Sequence, residues 1–339
     1  MSVWIVAFTL RGANLAAYLG RTLPGARAFS MAKYAAQAGT EPVERLADWC
    51  RRAWEEAEGL VFVGAAGIAV RSIAPRLQSK TTDPAVVVVD EGGQFAISLA
   101  SGHMGGANEL TRQVAACLGA TPVVTTATDV NGKFAVDVFA VKNGLAITSM
   151  RRAKEISAAI LAGKPVGLHT ELPLEGEVPP ELTLGRVQEE NVEIGFHARY
   201  PGSLLLIPRG IYLGLGCRRG TGMQELAAAV EAALAAHRIP RCAVAGAASM
   251  DLKADEPGLL AWAREEQLPL IFYTAEALRQ AEGDFSPSEF VKTVTGVDNV
   301  CERAAAARGG TLLLGKTACE GVTVAIALED SFPKGSSLI

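Results

Sequence analysis

The chain has 339 residues, 49% of them hydrophobic and 20% charged, which is enough apolar side chain to fill more than one core. Its 32 Lys and Arg are outnumbered by 36 Asp and Glu, for a net charge of −4. No basic surplus advertises nucleic acid or an anionic membrane surface, so any anion must be held by local design. The longest apolar runs, Val86 to Val89 and Leu204 to Ile207, are strand length and far short of the roughly 20 residues that cross a bilayer.

The opening MSVWIVAFTL lacks a basic flank and a cleavage site, so it reads as a first strand and not as a secretory signal, and a cytoplasmic protein is expected. Apolar runs at Trp4 to Thr9, Leu60 to Val63, Ala85 to Val89 and Pro122 to Thr125 alternate with amphipathic segments. The pattern resumes at Leu204 to Ile207, Tyr212 to Leu215, Ala243 to Ala247 and Pro269 to Tyr273. This alternation predicts an α/β protein of layered α/β/α domains with parallel or mixed sheets. Asp90 to Gly93 form a turn signal before the alternating Phe95, Ile97 and Leu99, which predicts one antiparallel pair.

That second strand runs into SGHMGGAN and then into a helix on which Leu110, Val114 and Leu118 recur at four-residue spacing. Backbone N–H groups at such a helix start suit a carboxylate, and Gly102, Gly105 and Gly106 would let a ligand approach the main chain. Ser101 offers a hydroxyl, His103 a base near neutral pH and Asn108 an amide donor. A turn histidine satisfied by backbone is an equally weighted reading of His103.

Residues 171–193 are rich in Glu and Pro with a single Arg186, as in an exposed excursion. A small middle domain over 129–210 is expected around it, between an N-terminal domain over 1–128 and a C-terminal one over 211–330, with a frayed tail at 331–339. In the C-terminal part, Gly214 and Gly216 close a strand, and Thr221 with Gln224 match a capping box before a helix bearing Leu226, Val230 and Leu234. Arg218 and Arg219 lie between them and suit bidentate binding of carboxylates, though two solvated surface arginines fit the pattern as well. The glycine spacing matches neither the dinucleotide fingerprint nor the Walker A loop. SMDLKADEPG then offers Ser249, Asp251 and Lys253 before a helix start at Glu256-Pro257, and TGVDNVCERAA puts Asp298 or Asn299 at an N-cap with Glu302 and Arg303 in the first turn. The six cysteines, Cys50, Cys117, Cys217, Cys242, Cys301 and Cys319, form no C-x-x-C pair and have no His at ligand spacing, so neither a zinc site nor a disulfide framework is expected.

The stretch from Gly64 to Ala115, continued by Thr121 to Asp137, resembles the N-terminal domain of the CbiG family. LGLGCRRGT, ASMDLKADEPGLL, TGVDNVCERAA and GVTVAIA are similar to the C-terminal domain that CbiG shares with CobE, with Met250 where an aliphatic residue is more usual. The resemblance implies a cobalt-precorrin-5A hydrolase of anaerobic cobalamin (vitamin B12) biosynthesis. Such an enzyme opens the δ-lactone of a ring-contracted cobalt tetrapyrrole and releases acetaldehyde. The cobalt then arrives in the substrate and no cofactor of the protein is expected. Hand-over contacts with neighbouring pathway methyltransferases are also implied. Under this reading His103 is the general base with Ser101 and Asn108 beside it, and Asp83, Glu91 or Asp251 stand next in line. The expected substrate-binding set is Gly64, Gly67, Arg71, Lys80, Gly102, Gly105, Gly106, Gly216, Arg218, Arg219, Ser249, Asp251, Lys253, Asp298 and Asn299. A non-catalytic carrier of a corrinoid intermediate is the alternative.

Overall fold

Near-continuous apolar strands with period-two burial on both faces are the signature of a sheet covered on both sides. A computed structural model describes residues 1–79, 82–170, 172, 174, 176–319 and 321–329. The expected site residue Lys80 and the tail at 331–339 lie outside them. The chain divides into two compact units, Met1–Val138 and Phe139–Ile339.

The first unit is built on seven strands: β1 (Val3–Ala7), β2 (Ala26–Met31), β3 (Glu41–Val43), β4 (Gly59–Val63), β5 (Ala85–Val89), β6 (Phe95–Ala100) and β7 (Thr121–Val123). Their order is β3-β2-β1-β4-β5-β6-β7. Val3, Ile5, Ala7, Val61, Val63, Val87 and Val89 face the helices Leu10–Thr22 and Ala107–Leu118. Trp4, Val6, Leu60, Phe62, Val86 and Val88 face the other way, toward Trp49, Ala69 and Ile73 of the helices Leu46–Glu56 and Ala66–Ile73. The predicted hairpin forms, with β6 antiparallel to β5 and Val86 opposite Ala100, whereas β1 to β5 are mutually parallel.

The second unit holds two five-stranded sheets. One comprises β8 (Leu145–Ile147), β9 (Val166–Thr170), β10 (Leu182–Leu184), β11 (Glu190–Ile194) and β12 (Leu204–Pro208), ordered β10-β9-β11-β12-β8. The acidic excursion is therefore only partly a connector: its second half supplies β10 and most of β11, because Leu182 and Val192 are buried and the Glu193 carboxylate is hydrogen-bonded in place. That carboxylate accepts hydrogen bonds from the Arg199 and Tyr200 N–H groups and from the Ser203 hydroxyl.

The other sheet comprises β13 (Ile211–Cys217), β14 (Val244–Met250), β15 (Leu270–Tyr273), β16 (Gly310–Cys319) and β17 (Val322–Glu329), ordered β15-β14-β13-β17-β16. Ile207 of β12 joins the core of this sheet with Ile211, Leu213, Leu226 and Trp262, and Phe196 and Leu205 pack against it, so the middle sheet and the C-terminal sheet share apolar contacts. On the opposite face, the helix Val300–Ala306 lies so close to β13 that a Cβ on Gly214 would stand 1.8 Å from the Cys301 carbonyl oxygen.

Candidate functional site

His103 sits in the loop between β6 and the helix Ala107–Leu118, and the sequence forces that loop into a tight turn. Ser101 adopts φ 57, in the left-handed region, and a Cβ on Gly105 would come 2.3 Å from the Ser101 Cβ, so only glycine fits there. The turn consumes the N–H groups expected to cradle an anion: Gly106 donates to the His103 carbonyl, Ala107 to that of Ser101 and Asn108 to that of Gly102. What remains for chemistry is the side chains.

Those side chains form a closed cluster. The His103 ring is held from both sides, with Nδ1 3.2 Å from Asp137 Oδ2 and Nε2 2.9 Å from Asp129 Oδ2, and the Thr128 hydroxyl lies 3.0 Å from Nε2. Asp129 also accepts from Thr126 at 2.5 Å, from Asn108 Nδ2 at 3.0 Å and from Arg112. The three titrating side chains are 19% (His103), 20% (Asp129) and 11% (Asp137) exposed, so their charges are only partly screened by water.

The hydrogen bond to Asp137 is the main cause that raises the His103 pKa above its ordinary value, against the pull of burial. Burial works to raise both aspartates but is outweighed: bonds from Thr126, Arg112 and His103 hold Asp129 low, and those from His103 and the Val138 N–H hold Asp137 low. The arrangement favours the protonated ring between two ionised carboxylates.

This geometry bears on two expected roles. Both ring nitrogens of His103 face carboxylate oxygens, so a neutral ring would point one lone pair at a carboxylate. Asn108 is 4% exposed, accepts from Ser98 at 2.7 Å and spends both amide N–H groups on Thr126 and Asp129, so it positions Asp129 and has no donor left for a substrate oxyanion. The Ser101 hydroxyl has no hydrogen-bond partner among the described residues. The sequence reading missed Asp129, Asp137, Thr126, Thr128 and Arg112. All but Arg112 fall in the Thr121 to Asp137 stretch singled out for its family likeness.

Gly64, Gly67 and Arg71 are not part of this cluster. They follow β4, which is parallel to β5, while the His103 loop follows β6, which runs the other way, so the two groups occupy opposite ends of the sheet. Glu91 is at the Gly64 end, where it accepts from Thr9 at 2.6 Å. Asp83 is on the His103 side but is occupied by the N–H groups of Gln78 and Ser79.

In the second unit, a cavity of about 630 Å³ opens beside the ends of β13 and β14. Gly216, Arg218, Arg219, Ser249, Lys253 and Asn299 all line it, together with Lys316, which the sequence reading did not single out. Ser249 is buried and donates to the Leu215 carbonyl, and Asn299 caps the helix Val300–Ala306 by accepting from the Glu302 N–H. Neither Asp251 nor Asp298 lines the cavity, and Asp298 is paired with Arg303 at 2.8 Å. The expected Thr221–Gln224 capping box is displaced by one residue: Gly222 is the N-cap and Glu225 accepts its N–H, because the Thr221 hydroxyl is committed to the Arg218 carbonyl.

Three family models match in succession: Cobalamin synthesis G N-terminal over residues 48–129, Cobalamin biosynthesis central region over 134–206, and Cobalamin synthesis G C-terminus over 211–327. The chain is 39% identical to the cobalt-precorrin-5A hydrolase of Salmonella typhimurium, covering 83% of this chain and 85% of that protein. It is 31% identical to the Priestia megaterium protein of the same name, covering 96% and 94%. Protein CobE of a Sinorhizobium species is 38% identical over 35% of this chain and 79% of its own length. With its N-terminal, central and C-terminal models all matched and these relatives aligned over most of its length, the chain belongs to the CbiG family.

Proposed function

We propose that the protein is a cobalt-precorrin-5A hydrolase, and that the Asp137–His103–Asp129 cluster carries its proton transfers. The observation that carries this reading is the His103 ring held between two partly buried carboxylates; the names of the relatives support it. Water attacks the lactone carbonyl, and its proton enters the cluster at a carboxylate oxygen while the Ser101 hydroxyl donates to the oxyanion. The acyl C–O bond then breaks and the cluster returns the proton to the leaving alkoxide, restoring its resting state. The freed alcohol loses its proton through the same cluster to solvent, its C–O becomes a carbonyl, and the C–C bond to the macrocycle breaks. The electron pair left behind delocalises into the cobalt-bearing ring, and acetaldehyde departs.

In this reading the cobalt belongs to the substrate, and the intermediate passes to and from neighbouring enzymes of the pathway. A cytoplasmic setting is part of the same proposal, supported by six free cysteines, of which Cys301 is pushed up to about 12 by burial. No helix among the described residues is long and apolar enough to cross a membrane. Incubation of the protein with cobalt-precorrin-5A and an aldehyde trap tests the reaction. Trapped acetaldehyde together with the ring-opened cobalt-precorrin-5B is expected. Tight binding with neither product would show a carrier instead.

A further inference from the structure

The cavity in the second unit has a lining whose chemistry is one-sided. Among the described lining residues the charged side chains are Arg218, Arg219, Lys253 and Lys316, with no carboxylate, in a chain whose net charge is −4. Met250, Leu252, Val291 and Val322 give the lining an apolar part. A volume of about 630 Å³ lies in the range of pockets that enclose a small ligand. Cations together with an apolar part of the lining fit a hydrophobic ring system that carries carboxylates on its rim.

The four cations are not equivalent. Lys253 is 3.3 Å from the buried Glu256, whose carboxylate also accepts the Gly220 N–H at 2.6 Å, so part of its charge is already balanced. Arg219 leans toward Asp255 at 3.5 Å, with both side chains more than 70% exposed. Arg218 and Lys316 have no ion-pair partner among the described residues. Arg218 lies across Gly321, where a Cβ would stand 3.1 Å from its Cδ and 3.2 Å from its Nε; the missing side chain makes room for the guanidinium stem.

We infer that this cavity is a binding site for one edge of an anionic tetrapyrrole, in which Arg218 and Lys316 grip peripheral carboxylates and the apolar part of the lining receives the ring. The inference rests on the proposed reaction for the identity of the natural ligand. The cavity and the proposed proton-transfer cluster belong to different units and share no residue, so the two can be tested apart. Lys316 becomes a recognition residue, and Arg219 a peripheral one.

The test is a titration of the full chain with uroporphyrin, a macrocycle with a carboxylate on every peripheral chain, followed by absorbance and fluorescence. The wild-type chain should bind it in a salt-sensitive manner. Replacing both free cations, Arg218→Ala with Lys316→Ala, should weaken binding about tenfold or more, whereas Arg219→Ala should change it by less than about threefold. Both free cations are exposed, so the double variant should fold, which circular dichroism verifies. No binding by the wild type, or equal binding by the double variant, overturns the inference. A wild-type chain that releases no acetaldehyde while the double variant still loses uroporphyrin affinity sinks the proposed reaction and leaves the cavity assignment standing. Normal hydrolysis with unchanged KM and unchanged uroporphyrin affinity in the double variant does the reverse.

Discussion

His103 and its two aspartates stabilise one another only while the ring is charged and the acids are ionised, which bounds their contribution in pH. The folded-state pKa of His103 is raised, so its contribution is complete below its ordinary value of 6.5 and is lost as pH climbs through the raised one. Those of Asp129 and Asp137 are lowered, so theirs is complete above their ordinary value of 3.8 and is lost as pH falls through the lowered ones. Thermal unfolding across pH should therefore show the largest gap between wild type and His103→Gln between about pH 4 and 6.5. A gap independent of pH would contradict the bridged imidazolium. Asn108→Ala should cost about 1–3 kcal/mol in denaturant unfolding, since it strands the Ser98 hydroxyl and removes donors from Thr126 and Asp129 in a nearly buried site. At this scale the sequence disclosed His103, because glycines mark its loop. It did not disclose Asp129 and Asp137 as its partners, because the contact is tertiary and a whole helix and strand intervene in the chain.

Secondary-structure elements decide which of the legible residues can work together. The turn at Asp90 to Gly93 was readable as a hairpin, and the hairpin reverses β6. That reversal sends the His103 loop to the opposite end of the sheet from Gly64 and Arg71. The expected substrate-binding residues of the first 128 positions therefore divide between the two ends of the sheet. In the second unit, β10 and β11 were hidden inside an acidic, proline-containing stretch because their apolar content is confined to alternate positions and Glu193 is solvated by backbone donors. The close packing of the helix Val300–Ala306 on β13 makes a further expectation specific. Gly214→Ala should lose about 3 kcal/mol of stability, because the new methyl meets backbone that cannot step aside. A variant with the wild-type melting temperature would show that the helix yields.

Over the whole molecule, the α/β class and the mixed sheets followed from the alternation of strand-length apolar runs with amphipathic segments. The N-terminal, middle and C-terminal order agrees with the three successive family models, and the last two form one compact unit because Ile207, Phe196 and Leu205 pack into or against the C-terminal core. The first unit extends to Val138, and the contacts of Asp129 and Asp137 bind that last stretch to the His103 loop. The strands β1 to β3 precede the region matched by the N-terminal family model, yet they complete the same sheet. The proposed proton-transfer cluster thus belongs to the first unit and the cationic cavity to the second. The most direct measurement is the rate of acetaldehyde release from cobalt-precorrin-5A by the wild-type chain and by folded His103→Gln and Asp137→Asn variants. The account predicts that loss of the relay slows release by about 10²- to 10⁴-fold while uroporphyrin binding is retained. Release at a near-normal rate from folded His103→Gln would contradict it.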